Sequence, residues 1–300
     1  MRLPDTVPVT PLADPLFTRA DVRVDVLRLD LLDPVLSGNK PFKLIHNLAQ
    51  AKAQGHTRIL SFGGAWSNHI HALAEAGYRA GIEVVAVIRG QEEEVSTATL
   101  DFALSRSVKL LKVTRADYRR RRDNDFLESL RRQVGDFYLI PEGGANAEGV
   151  AGCTHITSLI QQSLAQMPDE ILLACGTGTT LAGVVTGLHE RHCQTFVRGI
   201  AVLKGAGFLA TEIQRWLPAC ISTWAVETDY HWGGYARFPA ALQRFVQDFE
   251  RMHPLLLDPV YTAKLFAAVY QRVQDGYYRP GTHLLLVHSG GLQGRAGYSL

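Results

Sequence analysis

Cysteine is scarce and scattered: Cys153, Cys175, Cys193 and Cys220 form no Cys-x-x-Cys pair. That spacing suggests neither a zinc site nor a disulfide framework. The eleven histidines contain no His-Glu-x-x-His pattern, so no metal centre is expected. Charge of one sign is also lacking, because 31 Lys and Arg face 29 Asp and Glu for a net +2. So small an excess gives no reason to expect a nucleic-acid partner. The arginines at 119–122 are flanked by Asp117, Asp123 and Asp125 and read as a solvated helix face. Apolar runs at 84–88, 171–174 and 284–287 are strand length, far below the roughly 20 residues that cross a bilayer, and no membrane partner is expected. Met1 to Asp5 open without the apolar core of a signal peptide, which makes a cytoplasmic location the expectation.

What is present is alternation. The 300 residues, 46% hydrophobic and 20% charged, have room for two domains sharing a cleft. Residues 1–36 read as an extended arm with a strand near 22–27. A helix over 43–54 follows, then strands at 58–62, 83–88, 109–113 and 137–140. Helices at 68–80, 117–133 and one capped by Ser96 and running through 104 separate them. A second run has strands at 170–174, 197–202, 222–227 and 284–287, with helices at 150–165, 180–190, 207–216, 239–252 and 260–274. Such alternation predicts an α/β fold of mainly parallel sheets flanked by helices.

Ligands on such sheets bind at loops beyond the carboxyl ends of strands. Four loops of that kind are rich in glycine: Gly63-Gly64-Ala65-Trp66-Ser67-Asn68, Glu142-Gly143-Gly144-Ala145-Asn146, Gly176-Thr177-Gly178-Thr179-Thr180 and Ser289-Gly290-Gly291. They follow strands of both runs, which points to a cleft between two domains. Gly176, Thr177, Gly178, Thr179 and Thr180 open a helix, where free N–H groups, the helix dipole and threonine hydroxyls suit a small phosphate. A plain helix cap is the competing reading. A P-loop would need Gly-Lys-Ser/Thr, and a dinucleotide fingerprint would need a glycine at Leu181. Ser67 reads as an N-cap whose hydroxyl and neighbouring N–H groups also suit a carboxylate. In Ser37-Gly38-Asn39-Lys40-Pro41-Phe42-Lys43, Pro41 fits a first helical turn and places Lys43 at the start of an apolar face. A desolvated lysine there gains nucleophilicity toward carbonyls. The competing reading is a solvated lysine at a helix start.

A lysine, a one-phosphate cradle and a carboxylate site together suggest pyridoxal 5'-phosphate and a small amino-acid substrate. The chain resembles the tryptophan-synthase-β-like (fold type II) pyridoxal-phosphate enzymes, in particular the aminocyclopropane-carboxylate deaminase / D-cysteine desulfhydrase family. Gly38-Asn39-Lys40 with Lys43-Leu44, Gly63-Gly64 with Ser67-Asn68-His69, Glu142-Gly143-Gly144 with Asn146, Gly176-Thr177-Gly178, Asp258-Pro259-Val260-Tyr261 and His288-Ser289-Gly290-Gly291 carry the resemblance along nearly the whole chain. It implies that Lys43 is the Schiff-base lysine, that Asn68 meets the cofactor's ring hydroxyl, that Ser67 meets the substrate carboxylate and that the backbone of 176–180 holds the phosphate. Tyr261 and, by a looser match, Tyr235 resemble the family's paired active-site tyrosines. The implied domains are a large cofactor-binding one, 1–43 with 149–300, and a small one, 44–148. A homodimer is the expected assembly.

Departures from the pattern bear on substrate. The deaminase branch carries a glutamate where Thr262 stands and a leucine where Ser289 stands, and both hydroxyls, like His69, resemble the desulfhydrase branch. Thr262 and Ser289 are therefore expected at the cofactor's ring nitrogen. Trp66 replaces a usual glutamine and would narrow the substrate range. The expected reaction is β-elimination, with D-cysteine as leading substrate giving pyruvate, hydrogen sulfide and ammonia. The alternatives are aminocyclopropane-carboxylate deamination and a pyridoxal-phosphate-binding protein without turnover.

Overall fold

A computed structural model describes residues 3–90 and 96–298. The chain opens with β1 (Val9–Pro11), α1 (Pro15–Ala20) and β2 (Arg23–Leu27), then α2 (Lys40–Ala53), β3 (Arg58–Gly64), α3 (Asn68–Ala80) and β4 (Glu83–Arg89). It continues through α4 (Ala98–Ser105), β5 (Lys109–Val113), α5 (Arg115–Arg119), α6 (Asn124–Val134), β6 (Tyr138–Ile140), α7 (Ala147–Cys153), α8 (His155–Ser163), β7 (Glu170–Cys175) and α9 (Thr179–Glu190). The last third holds β8 (Phe196–Ala201), α10 (Phe208–Gln214), β9 (Trp224–Glu227), α11 (Ala240–Met252), α12 (Thr262–Gln274) and β10 (His283–Val287).

These strands make two sheets, one in the order β1-β2-β10-β7-β8-β9 and one in the order β5-β4-β3-β6. Every pairing is parallel except β1 with β2. The period of two along each strand sorts side chains into a core on either face. In β7, Ile171, Leu173 and Cys175 meet α7 to α10, while Leu172 and Ala174 meet α1, α11 and α12. In the smaller sheet Ile59, Val84 and Ala86 face α2, α3 and α4, and Leu60, Phe62 and Val85 face α6.

α2 belongs to both halves. Phe42 is buried in the core of the six-stranded sheet, whereas Leu44, Leu48 and Ala51 lie in a core of the four-stranded one. Lys43 sits at the changeover. α7 clamps this helix, because a Cβ on Gly152 would stand 1.8 Å from the Phe42 carbonyl oxygen. Gly152→Val is accordingly expected to destabilise the protein by about 3 kcal/mol or more through overpacking, a loss that urea unfolding would measure.

Four details depart from the sequence reading. The arm contains α1, where Asp14 accepts a hydrogen bond from Leu16 N at 2.7 Å and Pro15 starts the helix. Thr97, not Ser96, caps α4 by accepting from Leu100 N at 3.3 Å, while the Ser96 hydroxyl goes to Asp101. The helix expected over 117–133 is two, α5 and α6. The break among the crowded arginines lets Arg121 pair with Glu142 at 2.9 Å and lie over the ring of Tyr118. The helix expected over 150–165 also divides at Thr154, whose hydroxyl donates to the Ala151 carbonyl at 2.8 Å. α7 packs on both α2 and α9, and α8 packs on α9.

Candidate functional site

Lys43 projects from the first turn of α2 and is buried, 5% exposed. Its Nζ donates to the Gly143 carbonyl at 3.0 Å and reaches Thr177 Oγ1 at 3.5 Å. Gly143 follows β6 and Thr177 follows β7, so one amine touches loops of both sheets. Burial holds its pKa below the usual lysine value, because a charged ammonium is costly away from water. Gly144 makes the approach possible: a Cβ there, at φ +68°, would stand 3.1 Å from Lys43 Cβ.

Lys40, three residues earlier, is half-buried and differently placed. Its Nζ donates to Asn39 Oδ1 at 2.6 Å and lies 5.9 Å from the ring centroid of Tyr261. Burial first, and then the neighbouring Lys43, push its pKa down to about 7. Between about 7 and the ordinary 10.5 the unfolded chain therefore binds a proton that the folded chain does not. The unliganded protein is expected to gain stability as pH rises through that window. In Lys40→Met the slope of stability against pH should be about one proton smaller there, which denaturant titrations at pH 7, 8.5 and 10 would show.

The loop between β7 and α9 forms the second part. Gly178 is left-handed at φ +80°, and Thr179 and Thr180 begin the helix fully buried. First-turn N–H groups have no partner within a helix. Thr177 Oγ1 and Thr179 Oγ1 are 3.0 Å apart, and Thr180 Oγ1 accepts from Asn39 Nδ2 at 2.8 Å. Asn39 thereby ties the phosphate-type loop to the lysine-bearing turn.

Ser67 caps α3, its hydroxyl accepting from Ile70 N at 3.3 Å. Asn68 Oδ1 accepts from Gln293 Nε2 at 2.8 Å, and its Nδ2 would stand 2.6 Å from a Cβ on Gly291. Ser289 is buried, and its carbonyl accepts from Asn39 N at 3.3 Å. The Tyr261 and Tyr235 rings meet edge to face at 6.1 Å, and a Cβ on Gly176 would stand 3.3 Å from the Tyr261 ring. Burial, reinforced by Tyr235, holds the Tyr261 phenol far above its usual pKa, so it stays protonated. All four glycine loops thus converge on α2 and the Tyr261 turn.

Thr262 is engaged within its own turn. Its hydroxyl donates to Asp258 Oδ2 at 2.9 Å and accepts from Asp258 N at 2.7 Å. Ser289 is the hydroxyl of this pair with no such partner on Asp258.

Three contributors were not legible as site residues: Gly143 through its carbonyl, Asn39 through its amide, and His69. His69 is buried, its Nε2 lies 2.9 Å from Ser61 Oγ, and its Nδ1 has no partner. Burial pushes its pKa down to about 3, so it is neutral at working pH. Asn39 follows Gly38, which cannot carry a Cβ because one would stand 1.9 Å from the Ser289 carbonyl oxygen; that Gly-Asn pair was the available signal.

The donor set fits pyridoxal phosphate. An amine of lowered pKa, an N–H and hydroxyl cradle for a phosphate, an amide and a hydroxyl for ring substituents, and an orphaned imidazole nitrogen lie around one cleft. The residues that could hold the cofactor are Lys43, Asn68, 176–180 and Ser289. Among the described residues no cluster of side chains suits a metal ion, and no helix is long and apolar enough to cross a membrane.

A family model described as pyridoxal-phosphate dependent enzyme matches residues 4–290. A relative from Pyrococcus horikoshii, provisionally named a 1-aminocyclopropane-1-carboxylate deaminase, is 26% identical over 92% of this chain and 86% of its own length. A mitochondrial protein of Arabidopsis thaliana, named bifunctional D-cysteine desulfhydrase/1-aminocyclopropane-1-carboxylate deaminase, is 25% identical over 90% of this chain and 72% of its own. Among solved structures, an ACC deaminase homologue superposes with a TM-score of 0.86 at 23% identity, covering 99% of this chain and 93% of that one. The likeness of that structure concerns the fold.

Proposed function

The chain belongs to the pyridoxal-phosphate dependent enzyme family, and from that premise we propose that it is a lyase that removes a β-substituent from a small amino acid, with D-cysteine the leading substrate. The observation that carries the reading is the buried Lys43 amine, held between the Gly143 carbonyl and Thr177 Oγ1. When bound, pyridoxal phosphate supplies an electron sink for negative charge at the substrate's Cα. Lys43 is the residue placed to bind the cofactor and to take the Cα proton, since its lowered pKa leaves the amine free to accept one. The N–H groups opening α9 and the hydroxyls of Thr177, Thr179 and Thr180 hold the phosphate. Asn68 meets the ring hydroxyl, and Ser67 with the first-turn N–H groups of α3 orients the carboxylate. The Tyr261 phenol, protonated throughout the working range, donates toward the departing thiolate, and Tyr235 fixes that ring. The small unit, 44–148, and the larger cofactor-binding unit, 1–43 with 149–300, form the two sides of the cleft, in an assembly of two chains.

Both relatives are named for the cyclopropane and the plant one for D-cysteine as well, and the surroundings of the ring nitrogen support the second substrate for this chain. Ser289 would offer it a hydroxyl, whereas the Thr262 hydroxyl is engaged by Asp258. A nitrogen facing a hydroxyl stays largely unprotonated and draws electrons weakly. That suffices when a thiolate departs, but not for opening an unactivated cyclopropane. Released keto acid and ammonia should therefore be highest with D-cysteine in a screen of D- and L-amino acids without a substituent on sulfur and of 1-aminocyclopropane-1-carboxylate. Preference for the cyclopropane would replace the reading by deamination. Cofactor binding without release from any compound would make the chain a carrier.

A further inference from the structure

Beside the site lies a cavity of about 210 Å³ whose wall is aromatic. Trp66, Tyr235, Tyr261 and Tyr298 line it, with Pro259 and Val260. Trp66 immediately precedes the Ser67 cap, and its indole rests on the backbone of Gly297, where a Cβ would stand 3.3 Å from the ring. Tyr298 is fixed from behind, its hydroxyl donating to the Ala236 carbonyl at 3.0 Å and its ring packing edge-on to Phe238 at 5.5 Å. Asn68 lines the same space, which makes it continuous with the candidate site.

Several of the polar groups there are already engaged. The Asp258 oxygens accept from the N–H groups of Val260, Tyr261 and Thr262 and from the Thr262 hydroxyl. Asn68 Oδ1 is taken by Gln293, and a cation, Lys40, already lies over Tyr261. Against the wall formed by Trp66, Tyr298, Pro259 and Val260, a charged group would lose water without gaining a partner. A thiol's hydrogen offers such an aromatic wall no apolar surface to bury.

We propose that the substrate carries an apolar or aromatic group on its sulfur, so that the enzyme is a β-lyase of S-substituted cysteines, the substituent lying against Trp66. This rests on the β-elimination reading. The Cα–H and Cβ–S bonds break and a Cα–Cβ double bond forms, the thiolate leaves with the electron pair of the Cβ–S bond and takes up a proton, and one water converts the three-carbon remainder to pyruvate and ammonia. Aryl thiols are stronger acids than alkyl thiols and leave more readily, which suits a weak electron sink.

Two measurements on the cofactor-loaded enzyme test this. The first is equilibrium dialysis of 3-(phenylthio)propionate against 3-mercaptopropionate, which share the substrate skeleton but lack the amine and cannot react. The wild type should bind the phenyl compound at least tenfold more tightly, as burial of an aromatic ring allows, and Trp66→Gln should erase the preference. No preference in the wild type, or one that persists in Trp66→Gln, overturns the assignment. The second is keto acid release from cysteine and S-phenylcysteine, both enantiomers of each. The wild type should show at least a tenfold higher kcat/KM for S-phenylcysteine, and Trp66→Gln should lower that ratio at least tenfold. A higher kcat/KM for cysteine itself overturns the proposal. Tight phenyl binding without elimination from either amino acid overturns the lyase reading while the aromatic pocket stands.

Discussion

Lys43→Ala is expected to lower kcat by at least about four orders of magnitude and to remove covalent attachment of the cofactor. Two roles vanish together. A positioned proton acceptor contributes about 10²–10⁴-fold, and the covalent role of an activated amine has no substitute nearby. Lys40 cannot take over, because its Nζ is directed to Asn39 and Tyr261 rather than to Gly143 and Thr177. Lys40→Ala should therefore keep the cofactor bound covalently and lose far less activity. The comparison is made on variants supplied with pyridoxal phosphate, with cofactor content read from the absorbance of the desalted protein and turnover from keto acid release. Full activity in Lys43→Ala, or loss of covalent cofactor in Lys40→Ala alone, would reverse the assignment.

The second large effect concerns the phosphate. Thr177→Asp should lower affinity for pyridoxal phosphate roughly a thousandfold. Unit charges about 4 Å apart interact by about 4 kcal/mol at an effective dielectric near 20, and 1.4 kcal/mol is a factor of ten. The new carboxylate would also lie beside the Lys43 amine, now 3.5 Å from Thr177 Oγ1, and would favour its protonated, non-nucleophilic form. Gly178→Asp makes a poorer probe. Gly178 has φ +80°, and a Cβ there would stand 2.5 Å from Ile213 Cγ1, so strain would be confused with repulsion. Thr177 is only half-buried and carries no such constraint, and a carboxylate near the N-terminus of α9 suits the helix dipole. Thr177→Asp should accordingly fold with unchanged thermal stability when unliganded. Undiminished cofactor affinity in the folded variant would place the phosphate elsewhere.

Much of the fold was legible because its elements are long and locally consistent. Ser67 and Gly81 bracket α3, so its bounds were readable from cap chemistry. α1 was not, although Asp14-Pro15 is a start signal, because six residues present too little periodicity to set against an extended arm. The splits at 119–124 and at Thr154 were hidden for another reason. Each accompanies a tertiary contact, Arg121 with Glu142 in one case and the packing of α7 on α2 in the other, and helical spacing runs straight through both. The site was legible where side chains carry chemistry, as at Lys43, Ser67, Thr177 and Tyr261. It was illegible where the backbone does. The Gly143 carbonyl reaches Lys43 across a separation of 100 residues, and no residue type announces a carbonyl. Thr262 shows the converse, a residue whose hydroxyl the sequence leaves free and the structure commits to Asp258.

The central claim is that one lysine, at the point where α2 passes between the two cores, holds the cofactor. Borohydride reduction of the cofactor-loaded protein, followed by proteolysis and peptide mass mapping, tests it directly. A single pyridoxyl group on the peptide that contains Lys43, located by fragmentation to Lys43 itself, is the predicted result. A pyridoxyl group on Lys40, or on the buried Lys264 of α12, whose Nζ donates to the Gly234 carbonyl at 2.6 Å, or none on protein saturated with pyridoxal phosphate, would contradict it.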